Sequence, residues 1–223
     1  MPKAKSSKSG KSRKAGKKHP EAGPKGRLLA LEGTSGRDLE KAAKRVADLC
    51  GGASAGVGWS RWDASNTFFE LQLRKAKRLI PPIRTLLLLY ASDLAFRLRW
   101  EIRPALSEGR TLVVAPYVET AKGFGIAAGL PKDWLDELFA FAPRPDACFR
   151  LKEKAKAKPK KSVHGFVEFS SKLLAAGSTG WNAGAVRAAI LKHFDALEEG
   201  GQLRRLGKKL PKLLFSDPVQ PER

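Results

Sequence analysis

The stretch RLLALEGTSGRDLEKAAKRVADLC, residues 27–50, constrains the fold more than any other part of the chain. RLLALE is a short apolar run of strand length, and a glycine-containing turn follows it. Beyond the turn, Leu39, Ala42, Ala43, Val46 and Cys50 recur at helical spacing. The order is strand, glycine turn, helix. Ser35 followed three residues later by Asp38 predicts a capped helix start, with the first amides satisfied by the chain's own side chains.

The rest of the chain repeats this alternation. Residues 51–62 are rich in Gly and Ser, carry Trp59 and Trp62, and read as a connecting loop; a helix is predicted from about Asp63 to Leu79, before the Pro81-Pro82 break. A long apolar helix is predicted from about Ile83 to Leu106. TLVVAPY (111–117) reads as a buried strand stopped by Pro116. Further elements are a helix beginning at Pro131, a strand near 146–151, and helices within 163–176 and 183–199. Strands alternating with helices imply a parallel sheet covered on both faces, a three-layer α/β domain.

With 223 residues, 42% of them apolar, the chain has material for one such core plus tails. Its formal charge of +21 is concentrated in two places. Residues 1–26 hold eight Lys and one Arg against one Glu, and RLKEKAKAKPKK (150–161) holds seven cations against one anion; together they supply two-thirds of the excess. The first of these has almost no aliphatic or aromatic side chains to offset the entropy of ordering it, so it reads as a disordered basic arm. Such an arm attracts polyanions, nucleic acid among them, or merely solubilises the chain. Nothing in it reads base sequence. Cys50 and Cys148 lack CxxC spacing and stand in apolar settings, which fits reduced thiols. No apolar run is long enough to span a bilayer, and the basic N-terminus has no apolar signal region. These features predict a cytoplasmic protein. His164 and His193 have no partner at metal or triad spacing, and no metal site is predicted.

The segment order resembles the thymidylate kinase family of P-loop nucleoside monophosphate kinases. LALEGTSG (29–36) is similar to the family's FEGxDGxGK[ST], SRWDAS (60–65) to its TREPGG, and residues 86–130 to its LLYAADRAQHV…I.PAL..G..VI.DRY..SS.AYQG…GL. Weaker similarity continues through RPDACFRL (144–151) and GWNAGAVRAAILKHF (180–194). The resemblance covers about residues 27–198. It implies a P-loop NTPase-type domain over 27–200, with 150–161 as a lid-like loop and 201–223 as a basic C-terminal extension. The activity it implies is transfer of the ATP γ-phosphoryl group to dTMP with Mg²⁺. Homodimerisation through long helices is also implied, and the apolar Ile83–Leu106 helix is compatible with it.

In that chemistry a Lys reaches the phosphates and a Ser/Thr hydroxyl binds the metal. Aligned on Glu32-Gly33, the chain keeps Gly36 but has Asp38 at the second glycine, Leu39 at the Lys and Glu40 at the Ser/Thr. A gapped alternative makes Gly36-Arg37 a shortened Gly-Lys, with Asp38 in the hydroxyl's place. Neither restores the motif. Carboxylates near a triphosphate are wrong in sign: at ~4 Å each like-charge contact costs between ~1 and ~4 kcal/mol. Where the family has Asp-Arg-Tyr, this chain has Ala115-Pro116-Tyr117; Leu94 replaces a family Arg beside the retained Asp93, and AYQG becomes Gly123-Phe124-Gly125-Ile126.

The candidate nucleotide-binding residues are therefore Gly33, Gly36, Arg37, Arg61, Asp93, Tyr117 and Phe124, with Lys152, Lys154, Lys156 and Lys158 as lid-like cations. Each has a structural alternative: a turn for the glycines, stacking on a tryptophan for Arg61, a buried or capping role for Asp93. Trp59 and Trp62 are either a base-stacking platform or core aromatics. The expected function is that of a catalytically impaired family member acting by binding, with no cofactor assigned. The alternatives are an active kinase using Mg·ATP, with Arg37, Lys41 or the lid-like lysines as substitutes, and a nucleic-acid-associated protein acting through residues 1–26.

Overall fold

A computed structural model of the chain describes residues 26–53, 56–73, 80–152, 165–177 and 180–207. Five parallel strands form one sheet in the order β2-β3-β1-β4-β5: β1 (Arg27–Glu32), β2 (Gly58–Arg61), β3 (Thr111–Ala115), β4 (Ala147–Arg150) and β5 (Arg204–Arg205). The period-two alternation of β1 divides the core. Leu28 and Ala30 face one layer of helices, and Leu29 and Leu31 the other. The three-layer parallel architecture is the one the sequence predicts.

On the second face lies α1 (Gly36–Leu49), whose Leu39, Ala43, Val46 and Ala47 are buried against Leu29, Leu31, Val113 and Phe149. Full burial of a Leu or Val of this kind contributes about 1.5–3 kcal/mol. The opposite face is covered by α3 (Ile83–Arg97), α5 (Val118–Ala127), α7 (Phe166–Gly177) and α8 (Ala183–Glu199), whose buried side chains join Leu28, Ala30, Leu112 and Val114 in one cluster. Two shorter helices, α2 (Thr67–Leu73) and α6 (Lys132–Leu138), complete the described set with α4 (Arg103–Ser107).

Several boundaries differ from expectation for identifiable reasons. The stretch read as a loop before residue 63 contains β2, an edge strand paired only with β3; its Gly58 gives little strand signal. The next helix begins at Thr67 rather than Asp63, because Asp63 and Asn66 adopt positive φ in the turn ahead of it. Residues 74–79 of its expected span lie outside the described residues. The long helix runs from Ile83 to Ser107 through a π-helical turn at Leu98–Ile102. Pro104 has no N–H to give, and the Arg103 N–H reaches back five residues to Leu98, widening the ladder just before it. Leu88, Phe96 and Trp100 stand exposed along this rod.

Helix α5 has no helical signature in its sequence, since Gly123 and Gly125 are poor helix formers. Packing requires them. A Cβ at Gly123 would lie 3.0 Å from the His193 ring, and one at Gly125 would lie 2.6 Å from Leu135. Pro131 caps α6 rather than opening it.

Candidate functional site

In a sheet of this order the connections after β1 and β3 leave toward opposite edges, and ligands bind in the crevice outside the carboxyl ends of such strands. A cavity of about 250 Å³ lies there, lined by Gly36 and Glu40 of α1, Arg61 at the end of β2, Ala115-Pro116 at the end of β3, and Trp62, Asp63 and Phe69. The turn after β2 shapes its wall. Asp93, fully buried on α3, accepts hydrogen bonds from the N–H groups of Asp63 (2.9 Å) and Ser65 (3.0 Å) and from the Ser65 hydroxyl (2.9 Å), and pairs with the equally buried Arg97 at 3.1 Å. The Asp63 carboxylate in turn receives the N–H groups of Phe68 and Phe69, capping α2, while its burial raises its pKa.

Beside the cavity the glycine turn is closely tied down. Ser35 is the N-cap of α1, as the spacing predicts, and its hydroxyl accepts from the Asp38 N–H at 3.4 Å. The Gly36 N–H donates to Oε2 of Glu168, on α7, at 3.2 Å. Gly165 lies directly on this turn, so close that a Cβ on it would fall 2.7 Å from the Cα and N of Gly36. The Gly33 N–H donates to the Thr120 hydroxyl at 3.1 Å.

Glu32, the last residue of β1, is fully buried. Its carboxylate accepts from the N–H groups of Tyr117 (3.3 Å), Glu119 (3.0 Å) and Thr120 (2.9 Å) and from the Thr120 hydroxyl (2.6 Å). It thereby caps the N-terminus of α5. Burial nevertheless outweighs these donors and raises its pKa to about 7. Glu32 forms part of the wall of a second cavity of about 490 Å³, with Tyr117, Glu119, Lys122, Cys148 and Arg204. Burial raises the Cys148 thiol pKa, and Glu119 meets His193 Nε2 at 3.1 Å.

No protein-family model matches the chain. It is 34% identical over 133 residues to a thymidylate kinase of Xanthomonas euvesicatoria, a match covering 57% of each protein. It is 39% identical over 64 residues to a probable thymidylate kinase of Pyrococcus horikoshii, covering 29% of this chain and 31% of that one. The structure of thymidylate kinase from Candida albicans superposes with a TM-score of 0.55 at 16% identity, over 82% of this chain and 83% of that one. The chain is similar to thymidylate kinases over part of its length and shares their fold. It spans a little over half, 57%, of the length of the Xanthomonas enzyme it matches. The Ehrlichia chaffeensis thymidylate kinase shares the fold as well, with a TM-score of 0.52 at 13% identity over 84% of this chain and 90% of that one.

Placed on this thymidylate kinase fold, the sequence candidates separate. Gly36 and Arg61 meet at the smaller cavity, with Gly33 buried behind them. Arg37 is exposed on α1 and lines neither cavity. Asp93 holds the β2–α2 turn from behind the cavity wall. Tyr117 is buried, belongs to the larger cavity, and donates its hydroxyl to the Pro143 carbonyl at 2.7 Å. Phe124 is buried against Phe166 and Trp181, with ring centroids 5.2 and 5.9 Å away. Lys152 is exposed just beyond β4, and Lys154, Lys156 and Lys158 lie outside the described residues. Trp62 packs on Phe68 at 4.9 Å, and Trp59 has the Lys44 ammonium 5.5 Å from its ring. The sequence reading did not select Glu32, Thr120 or Glu168. Glu32 alone left a trace, as a carboxylate closing an apolar strand; the other two act across 87 and 132 residues of chain.

Proposed function

We propose that this chain is a thymidylate kinase relative that does not carry out efficient γ-phosphoryl transfer and acts instead by binding. The observation that carries this reading is the Gly36 N–H, the first amide of α1. Amides at such a position, with the positive end of the helix dipole behind them, attract phosphate. Here that amide donates to the Glu168 carboxylate. Leu39 is buried in the core, and Glu40, which lines the cavity and pairs with Lys44 at 3.1 Å, stands with it where the family resemblance expects a Lys and a Ser/Thr. These residues do not fit Mg·ATP: the amide has an anionic partner, and the chemistry of the donor set is inverted.

What supports binding of a smaller anion is Arg61, which lines the cavity together with Gly36. A mononucleotide is the chemistry that such a crevice and a single guanidinium favour. A coupled assay with dTMP and Mg·ATP tests the reading, and the expected result is no Mg²⁺-dependent transfer above background. Robust transfer would overturn it, and dependence of that transfer on Arg37 would favour an active kinase with substituted residues. Contact with nucleic acid through the basic residues 1–26 is a separate proposal, supported by their charge alone.

A further inference from the structure

The first turn of α7 sends two unlike side chains into the carboxyl edge of the sheet. Phe166 is almost wholly buried, enclosed by the rings of Tyr90 (4.6 Å between centroids), Phe124 (5.2 Å), Phe68 (5.8 Å) and Trp62 (6.2 Å). Two residues further on, Glu168 holds the Gly36 N–H. Gly165 brings this piece of backbone into contact with the glycine turn, since no larger residue fits there. A planar ring inside an aromatic box, joined to an anion on a helix-start amide, is the pairing by which a protein would hold an aromatic anion. Both halves come from one short segment of this chain.

We propose that the first turn of α7 is an internal ligand, with Phe166 in the place of a planar base and Glu168 in the place of a phosphate. The proposal rests on reading this crevice as the nucleotide site. The 250 Å³ cavity is what remains of that site, and it shares Gly36, Trp62, Phe68 and Phe169 with the surroundings of the plug. A ligand from solution binds only the fraction of molecules in which the turn is displaced, so its apparent affinity is lowered by that fraction. Phe166 and Glu168 thus set a threshold for occupancy.

Titration calorimetry of the full chain with dTMP tests this, comparing wild type with Phe166→Leu, Glu168→Gln and the double variant, each checked for native far-UV circular dichroism. Replacing the ring by a smaller aliphatic side chain and removing the charge from the amide's partner is expected to raise affinity for dTMP at least about ten-fold in the double variant. A folded double variant with wild-type affinity would overturn the proposal, because a Phe that served only the core would cost stability without creating a site. Glu168→Gln removes no volume and keeps the test decisive if the Phe166 variants unfold: it is expected to gain affinity for inorganic pyrophosphate, and unchanged affinity would count against the internal ligand. Phosphoryl transfer is not the readout. Turnover by the wild-type chain would sink the functional reading above while leaving this proposal to the affinity comparison.

Discussion

Glu32 shows how one side chain can join the sheet to its helices. It closes β1, caps α5 with four hydrogen bonds, and does so at zero exposure. Its native pKa of about 7 stands above the ordinary carboxylate value of 4.5. The folded state therefore holds a proton that the unfolded chain releases. The stability tied to this group is full below about pH 4.5 and is lost as pH rises through about 7, a change of about 3 kcal/mol. Urea denaturation of wild type and Glu32→Gln at pH 5 and pH 8 is expected to show a smaller pH dependence in the variant. Parallel pH profiles would contradict the assignment. At this scale the sequence was partly legible. Gly36 and Arg61 could be picked out because their motifs are local, but the Glu168 contact that gives Gly36 its meaning spans 132 residues and has no local signature.

Among the elements, those with a strong hydrophobic period were readable: β1, β3, β4, α1 and α8 fall where the pattern puts them. Helix α5 was not, because the glycines that let it approach α8 and α6 erase its helical signal, and tertiary packing overrides propensity. Strand β2 was hidden by its edge position and its glycine, and β5 by having only two residues, both Arg. The meeting of α7 with the glycine turn is the contact on which the functional reading depends. Gly165→Ala would push a methyl group into the backbone of Gly36, where no flexible side chain can yield. A loss of about 1–3 kcal/mol is expected for such overpacking, measured as a lower urea midpoint. A midpoint equal to that of wild type would mean that α7 is not pressed against the turn.

For the molecule as a whole, the described residues form a thymidylate kinase fold, while much of the net charge lies in residues 1–26, outside them. The two parts make separable predictions. If the arm contacts 6–10 phosphates, affinity for duplex DNA should fall ~10³–10⁵-fold between 50 and 200 mM salt. Deleting residues 1–26 should abolish most of that binding, and a flat salt response would dispose of the idea. At the sheet edge the Glu168 carboxylate holds the Gly36 N–H, the first amide of α1. Calorimetric titration of Mg·ATP into the chain with and without residues 1–26 tests most directly whether this contact excludes a triphosphate. No saturable site is expected in the arm-deleted form. Stoichiometric Mg·ATP binding to that form would contradict it, because the Gly36 turn would then have to accept a triphosphate despite Glu168.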